Sequence, residues 1–232
     1  MEISACDSAI LYEFQRLTPY NSTISERTRS TNFAETHTSA IWNLHSLEAR
    51  TTVNRLGLPY GRKSKVVGPP SVAFSQRDYV RGIVDADGSI GYTGQGLPFV
   101  SLTTASTAVA RYFSQHAHAL TGAERTLTRN ARDGVYNVLY VTETAQALAA
   151  DLYYPDCLAL ERKQSSATSV LSWTRPAGSK VKPPRIRWTP EMDRRLLAAP
   201  TIKHAASELG YSLSACQVRR WKLRNGLVQQ PD

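Results

Sequence analysis

The sequence is short of cysteine, of acid and of long apolar runs, and each shortage argues against something. Its 232 residues include three cysteines, Cys6, Cys157 and Cys216. They are odd in number, far apart, and form no Cys-x-x-Cys pair. That argues against a disulfide framework or a cysteine zinc knuckle and for a reducing, cytoplasmic setting. The longest apolar runs fall far short of the roughly 20 residues that cross a bilayer. The opening MEISACDSAILYEF lacks the basic-then-apolar layout of a secretory signal. With 41% hydrophobic and 20% charged residues, the composition fits a folded protein of one or two domains.

Acids number 19 against 28 bases, a net charge of +9, and the excess is local. Residues 1–70 hold eight Lys/Arg and six Asp/Glu, residues 71–165 eight and nine, and residues 166–232 twelve and four. A basic module on a near-neutral body points to a polyanion, with double-stranded DNA the first candidate. A basic face kept only for solubility is the alternative.

Gly61 to Ser71 and Thr174 to Arg185 are rich in Pro, Gly and base and read as linkers. The stretches they separate look related. EISACDSAILYEFQRL from Glu2 and FVSLTTASTAVARYFSQH from Phe99 each begin as a strand and continue as an amphipathic helix. Each then runs through an Arg-containing polar stretch, an aromatic-Asn-aliphatic strand (Trp42-Asn43-Leu44, Tyr136-Asn137-Val138) and a second helix. Each ends in Arg-Lys, at Arg62-Lys63 and Arg162-Lys163. The second copy has a front that the first lacks, the segment from Ser75 to Ile90.

That front carries the chemistry. Tyr79, Gly82, Ile83 and Ala86 lie at i, i+3, i+4 and i+7 and predict one helical face. Gly82 and Ala86 are small enough to let a second backbone come close. Asp85 and Asp87 stand at the expected helix end, where Gly88 would supply a positive φ. Acids at a helix C-terminus face the negative end of the helix dipole, and a bound cation would offset that. The other reading is an ordinary Asp-Gly turn between helix and strand.

Val80 to Gly88, VRGIVDADG, resembles the signature of the LAGLIDADG homing endonucleases, closely at the glycine and the DADG. The resemblance covers residues 72–165 well and 1–66 as a half without its front. It implies an α+β fold: an incomplete half-domain (1–70) and a complete αββαββα half-domain (71–165), followed by a basic Pro-rich linker (166–187). It implies hydrolysis of duplex DNA with Mg²⁺ or Mn²⁺. Asp87 would be the metal ligand and the Gly88 carbonyl a helper, while Asp85 would cap or bond across a helix pair. Lys163, and Lys63 in the first half, would be basic catalytic residues, with Lys65 competing for the latter role. Two active sites need two acidic helices, and one is present. The resemblance therefore implies either a chain truncated at its front or a homodimer or second chain joined through the motif helix. A transcription regulator that binds DNA without cutting it is the alternative from another class.

Arg125, Arg129 and Arg132 alternate with Thr126, Thr128 and Asn130, as a β-ribbon in the major groove would need. Ser22, Thr23, Ser25, Arg27 and Arg29 hold the same place in the first copy. His116 and His118 read as surface histidines. Residues 188–228 predict three helices, the first capped by Thr189 with Pro190 behind it. Trp188, Leu197, Leu209, Val218 and Trp221 are the expected core. The pattern is similar to a Myb/SANT helix-turn-helix. That implies a recognition helix bearing Gln217, Arg219, Arg220, Lys222 and Arg224, and an arm supplying Lys182, Arg185 and Arg187. The whole suggests a phage or bacterial source.

Overall fold

A computed structural model describes residues 1–31, 34–178 and 188–229. The chain divides into two compact units, Met1–Pro176 and Ala177–Asp232. The fold is α+β, with two three-stranded antiparallel sheets and nine α-helices among the described residues. None of these helices is long and apolar enough to cross a membrane. Lys182, Arg185 and Arg187 lie outside the described residues.

The first sheet is ordered β1-β3-β2, from β1 (Glu2–Ser4), β2 (Ser22–Thr31) and β3 (Ala34–Leu44). Helix α1 (Ala9–Leu17) links β1 to β2, and α2 (Leu47–Arg55) follows β3. The pleat sends Ile3, Ile24, Ala40 and Trp42 to one face, against Ile10, Leu11 and Phe14 of α1. Leu158 and Leu160 from the second half complete this core. An ion pair from Arg162 to Asp7 at 3.0 Å adds a polar tie between the halves.

The second half opens with α3 (Gln76–Asp87), which runs directly into β4 (Gly88–Tyr92). Then come β5 (Pro98–Thr104), α4 (Thr107–Thr121), β6 (Tyr136–Val141), α5 (Thr142–Leu152) and α6 (Glu161–Leu171). The sheet order is β4-β5-β6. Strict alternation buries Val100, Leu102, Val138 and Tyr140 against Val80, Val84, Phe113 and Leu148. The opposite faces of β5 and β6 expose Thr103 and Asn137, joined at 2.8 Å.

Two expectations change here. Residues 125–132 form no β-ribbon. Only one bridge, Arg129 to Tyr136, stands where the expected fourth strand would lie, so the order is αββαβαα rather than αββαββα. Helix α6 also crosses the expected boundary at residue 165, and regular structure lasts to Leu171.

In the C-terminal unit, α7 (Pro190–Ala198), α8 (Ile202–Leu209) and α9 (Leu213–Arg224) are capped by Thr189, Thr201 and Ser212. Their core is Leu196, Ala199, Ala205, Ala206, Cys216 and Leu223, flanked by Trp188, Leu197 and Leu209. Val218 and Trp221, expected inside, are 51% and 56% exposed. An ion pair sets this register. Arg219 grips the buried Asp193 of α7 through two bonds of 2.8 and 2.6 Å, which turns Cys216 and Leu223 inward and Val218 and Trp221 out. Arg219→Ala leaves a buried carboxylate unpaired and is expected to destabilise this unit by about 3 kcal/mol. Faster amide hydrogen exchange across α7 and α9 of the full chain would show it.

Candidate functional site

Helix α3 is held by its two ends. At the start, Ser75 accepts from the Asp78 amide, and Asp78 collects the Tyr154 hydroxyl and an Arg81 N–H at 2.7 and 2.6 Å. The Ser75 hydrogen bond first, then Tyr154 and Arg81, pull the Asp78 pKa down to about 2. A depressed carboxyl contributes stability that is present above its unfolded value and lost as pH falls through the folded one. Asp78→Asn is therefore expected to flatten the loss of thermal stability between about pH 4 and about pH 2, as melts across that range would report.

Arg81 stands inside the apolar signature yet is buried. It donates to the Leu158 and Leu152 carbonyls at 2.9 and 3.3 Å, besides its bond to Asp78. Asp85, one turn on, accepts from the Tyr153 hydroxyl at 2.6 Å and the Leu160 amide at 3.2 Å. Burial pushes both the Asp85 and Tyr153 pKa values up. Asp85 thus braces α3 to the segment after α5 in its own half, not to a second motif helix. Arg81, Tyr153 and Tyr154 were not picked out from the sequence. The available signal was a charged residue within the apolar motif with an acid three positions before it.

The expected packing face is divided. Tyr79 and Ile83 are half-buried at the edge of the core, Tyr79 with its ring edge-on to Tyr112 and Phe74. Gly82 and Ala86 are exposed, and a Cβ at Gly82 would meet nothing within 4 Å.

The helix ends on Asp87, whose carboxylate is exposed. Surrounding protein desolvates it enough to push its pKa up, while Lys163 pulls the other way. Gly88 does not take a positive φ; its φ is −106°. Glycine is needed there for space, since a Cβ would come within 2.6 Å of the Ser101 carbonyl and 2.7 Å of the Val84 carbonyl.

Lys163 is buried, and its ammonium donates to three carbonyls: Val84 and Asp85 at 2.6 Å and Gly88 at 2.9 Å. These groups lie at the negative end of α3, so the amine is the cation that this helix terminus calls for. Burial first, then Arg162, lowers its pKa, and Asp85, Asp7 and Asp87 oppose that. This placement makes Lys163 a positioning group for the helix end rather than an exposed amine facing solvent. Lys63 and Lys65 are exposed. Lys63 stands near the N-terminal amine, whose pKa burial and then Lys63 depress.

The DNA candidates differ in how far the fold already engages them. Arg125 and Arg132 are exposed, Arg125 over the Tyr140 ring and Arg132 bonded to Asp133. Arg129 is spent on the fold, since its guanidinium donates to the Gly134 and Ala105 carbonyls and Thr107. On β2, Thr23, Ser25, Arg27 and Arg29 share one exposed face, and Arg29 pairs with Glu2 at 3.1 Å. On α9, Gln217, Lys222 and Arg224 are exposed. Arg219 holds Asp193, and Arg220 donates to the Leu197 and Ala199 carbonyls. Arg129, itself exposed, and the half-buried Arg219 and Arg220 thus each hold a loop or helix contact of the fold. His116 is not a surface residue either: it lies 2.9 Å from Asp151 and is largely covered.

A divalent ion at the end of α3 would find one carboxylate, Asp87, beside the Gly88 carbonyl. Mg²⁺ commonly takes one or two carboxylates and completes its shell with phosphate oxygens and water. The donor set fits such an ion in the presence of DNA, although Lys163 already uses one lone pair of the Gly88 oxygen. No family model and no curated protein sequence matches this chain.

Proposed function

We propose that this chain is a metal-dependent endonuclease acting on double-stranded DNA, with Asp87 as the ligand-bearing carboxylate. The observation that carries this reading is a solvent-facing acid at the tip of a helix braced along its length by Arg81, Asp85 and Lys163. A rigid element under an exposed carboxylate suits a catalytic ion site, because the carboxylate can be held without local reorganisation. Asp87 and the Gly88 carbonyl would hold Mg²⁺ or Mn²⁺. The ion's contribution when bound is to lower the pKa of the attacking water and to stabilise the leaving oxygen. The exposed rows on β2 and on the β5–β6 face would lie along the duplex, and the basic α9 unit would add affinity.

This sequence supplies one such acid and so accounts for one strand cut; a second chain bringing a second Asp87 would account for the other. The second reading is a DNA-binding regulator that does not cut, and the Lys163 ammonium already on the Gly88 carbonyl favours it. Incubating the purified protein with a randomised duplex library, in Mg²⁺ and separately in Ca²⁺, tests both. Nicks or breaks in Mg²⁺ support the nuclease. Specific binding with no cut in either metal moves the assignment to the regulator.

A further inference from the structure

Helix α9 exposes apolar residues where a DNA-reading helix is usually polar. Leu213 and Val218 are each 51% exposed and Trp221 is 56% exposed. Leu213, Gln217 and Trp221 fall at i, i+4 and i+8, and Val218 lies three residues before Trp221, so the four share one side of the helix. Arg219 lies on the opposite, inward face with Asp193, and Arg220, at the border of the patch, donates to the Leu197 and Ala199 carbonyls, so neither guanidinium covers the apolar side.

The charge around this patch selects its partner. Residues 188–229 carry seven Lys/Arg and three Asp/Glu. All three acids are in ion pairs: Glu191 with Arg194 and Arg195, Asp193 with Arg219, and Glu208 with Arg195. Lys222 and Arg224, both exposed at the end of α9, have no ion-pair partner among the described residues. An apolar strip bordered by uncompensated cations matches a polyanion that offers apolar groups between its charges. The major groove of DNA is such a surface, because each thymine places a methyl group there between the phosphate rows.

We infer that α9 reads A·T pairs in the major groove, with Val218 and Trp221 packing on thymine methyl groups and Gln217 bonding the adenine edge. This rests on the DNA-binding reading above. A glutamine amide matches the adenine N6 and N7 atoms, and an apolar side chain matches the methyl of the thymine paired with it. Lys222 and Arg224 hold the flanking phosphates.

The test uses the full-length protein in Ca²⁺ and a duplex that it selects from a randomised library. Each thymine of the site is replaced in turn by deoxyuridine, which removes the methyl and keeps base pairing. Wild-type affinity is expected to fall roughly fourfold for each contacted methyl, the factor for losing one buried CH₂-sized group. Val218→Ala and Trp221→Ala, both at exposed positions, are expected to lose similar affinity and to become insensitive to uracil at the same position. Gln217→Ala is expected to relax the preference for adenine. Wild-type affinity indifferent to uracil throughout the site, or Trp221→Ala binding as tightly and selecting the same sequence, would overturn the inference and leave DNA binding standing. A wild-type protein that selects no duplex at all would overturn the DNA-binding reading and this inference with it.

Discussion

Asp87→Asn is expected to lower Mg²⁺-dependent strand cleavage by about a thousandfold, because a metal site supplies several kcal/mol of barrier reduction. Duplex affinity in Ca²⁺ is expected to stay within about threefold, the scale of an ordinary surface substitution. The contrast follows from where the residue sits. Its carboxylate is exposed and makes no hydrogen bond or ion pair with the described residues, so asparagine of the same shape breaks no direct contact and removes only a longer-range attraction to Lys163. Removing a negative charge from a helix C-terminus even slightly favours the helix. A nicking assay on a plasmid bearing the selected site, alongside a mobility-shift titration, separates the two quantities. If the variant cuts at the wild-type rate, Asp87 does not hold the ion. If wild type and variant both bind and neither cuts, the regulator reading stands.

Local rules were legible in this sequence, and rules that depend on distant partners were not. Thr189 with Pro190 marked the start of α7, because caps and first-turn prolines act within a few residues. The alternation in Phe99–Leu102 and Tyr136–Tyr140 reflects a sheet with one buried face, as the structure has it. Gly88 was placed correctly but for the wrong reason. Its constraint is the Ser101 carbonyl on the neighbouring strand, which no local pattern reports. The register of α9 failed similarly: apolar Val218 and Trp221 looked like core until Asp193, 26 residues from Arg219, drew the other face inward. Residues 125–132 have the composition of an exposed ribbon, yet Arg129 bonds back to Ala105, Thr107 and Gly134 and draws the segment onto the body of the domain. At the candidate site the acid was readable from its motif. The network beneath it was not, because Tyr153, Leu160 and Lys163 meet α3 across about 70 residues or more of chain.

Lys163→Met is expected to destabilise the Met1–Pro176 unit by about 4 kcal/mol, from three charge-assisted hydrogen bonds lost at roughly 1–3 kcal/mol each, less the desolvation cost that methionine avoids. Urea unfolding measures it, with the unchanged C-terminal unit as an internal reference. The carbonyls of Val84, Asp85 and Gly88 would be left at a covered helix end with one fewer donor each, and Asp85 would lose a neighbouring positive charge. Lys163→Arg is a sharper probe than Met alone, since it keeps the charge but brings a larger planar group into a site fitted to a point donor. The Lys63→Met change is expected to cost little, because that amine is exposed. The asymmetry has a physical source. Lys163 caps the C-terminal end of α3, whereas the Lys63 side chain is exposed. A cation at the end of α3 is thus required whether or not a divalent ion binds. If Lys163→Met unfolds as wild type does, the amine contributes no net stability there.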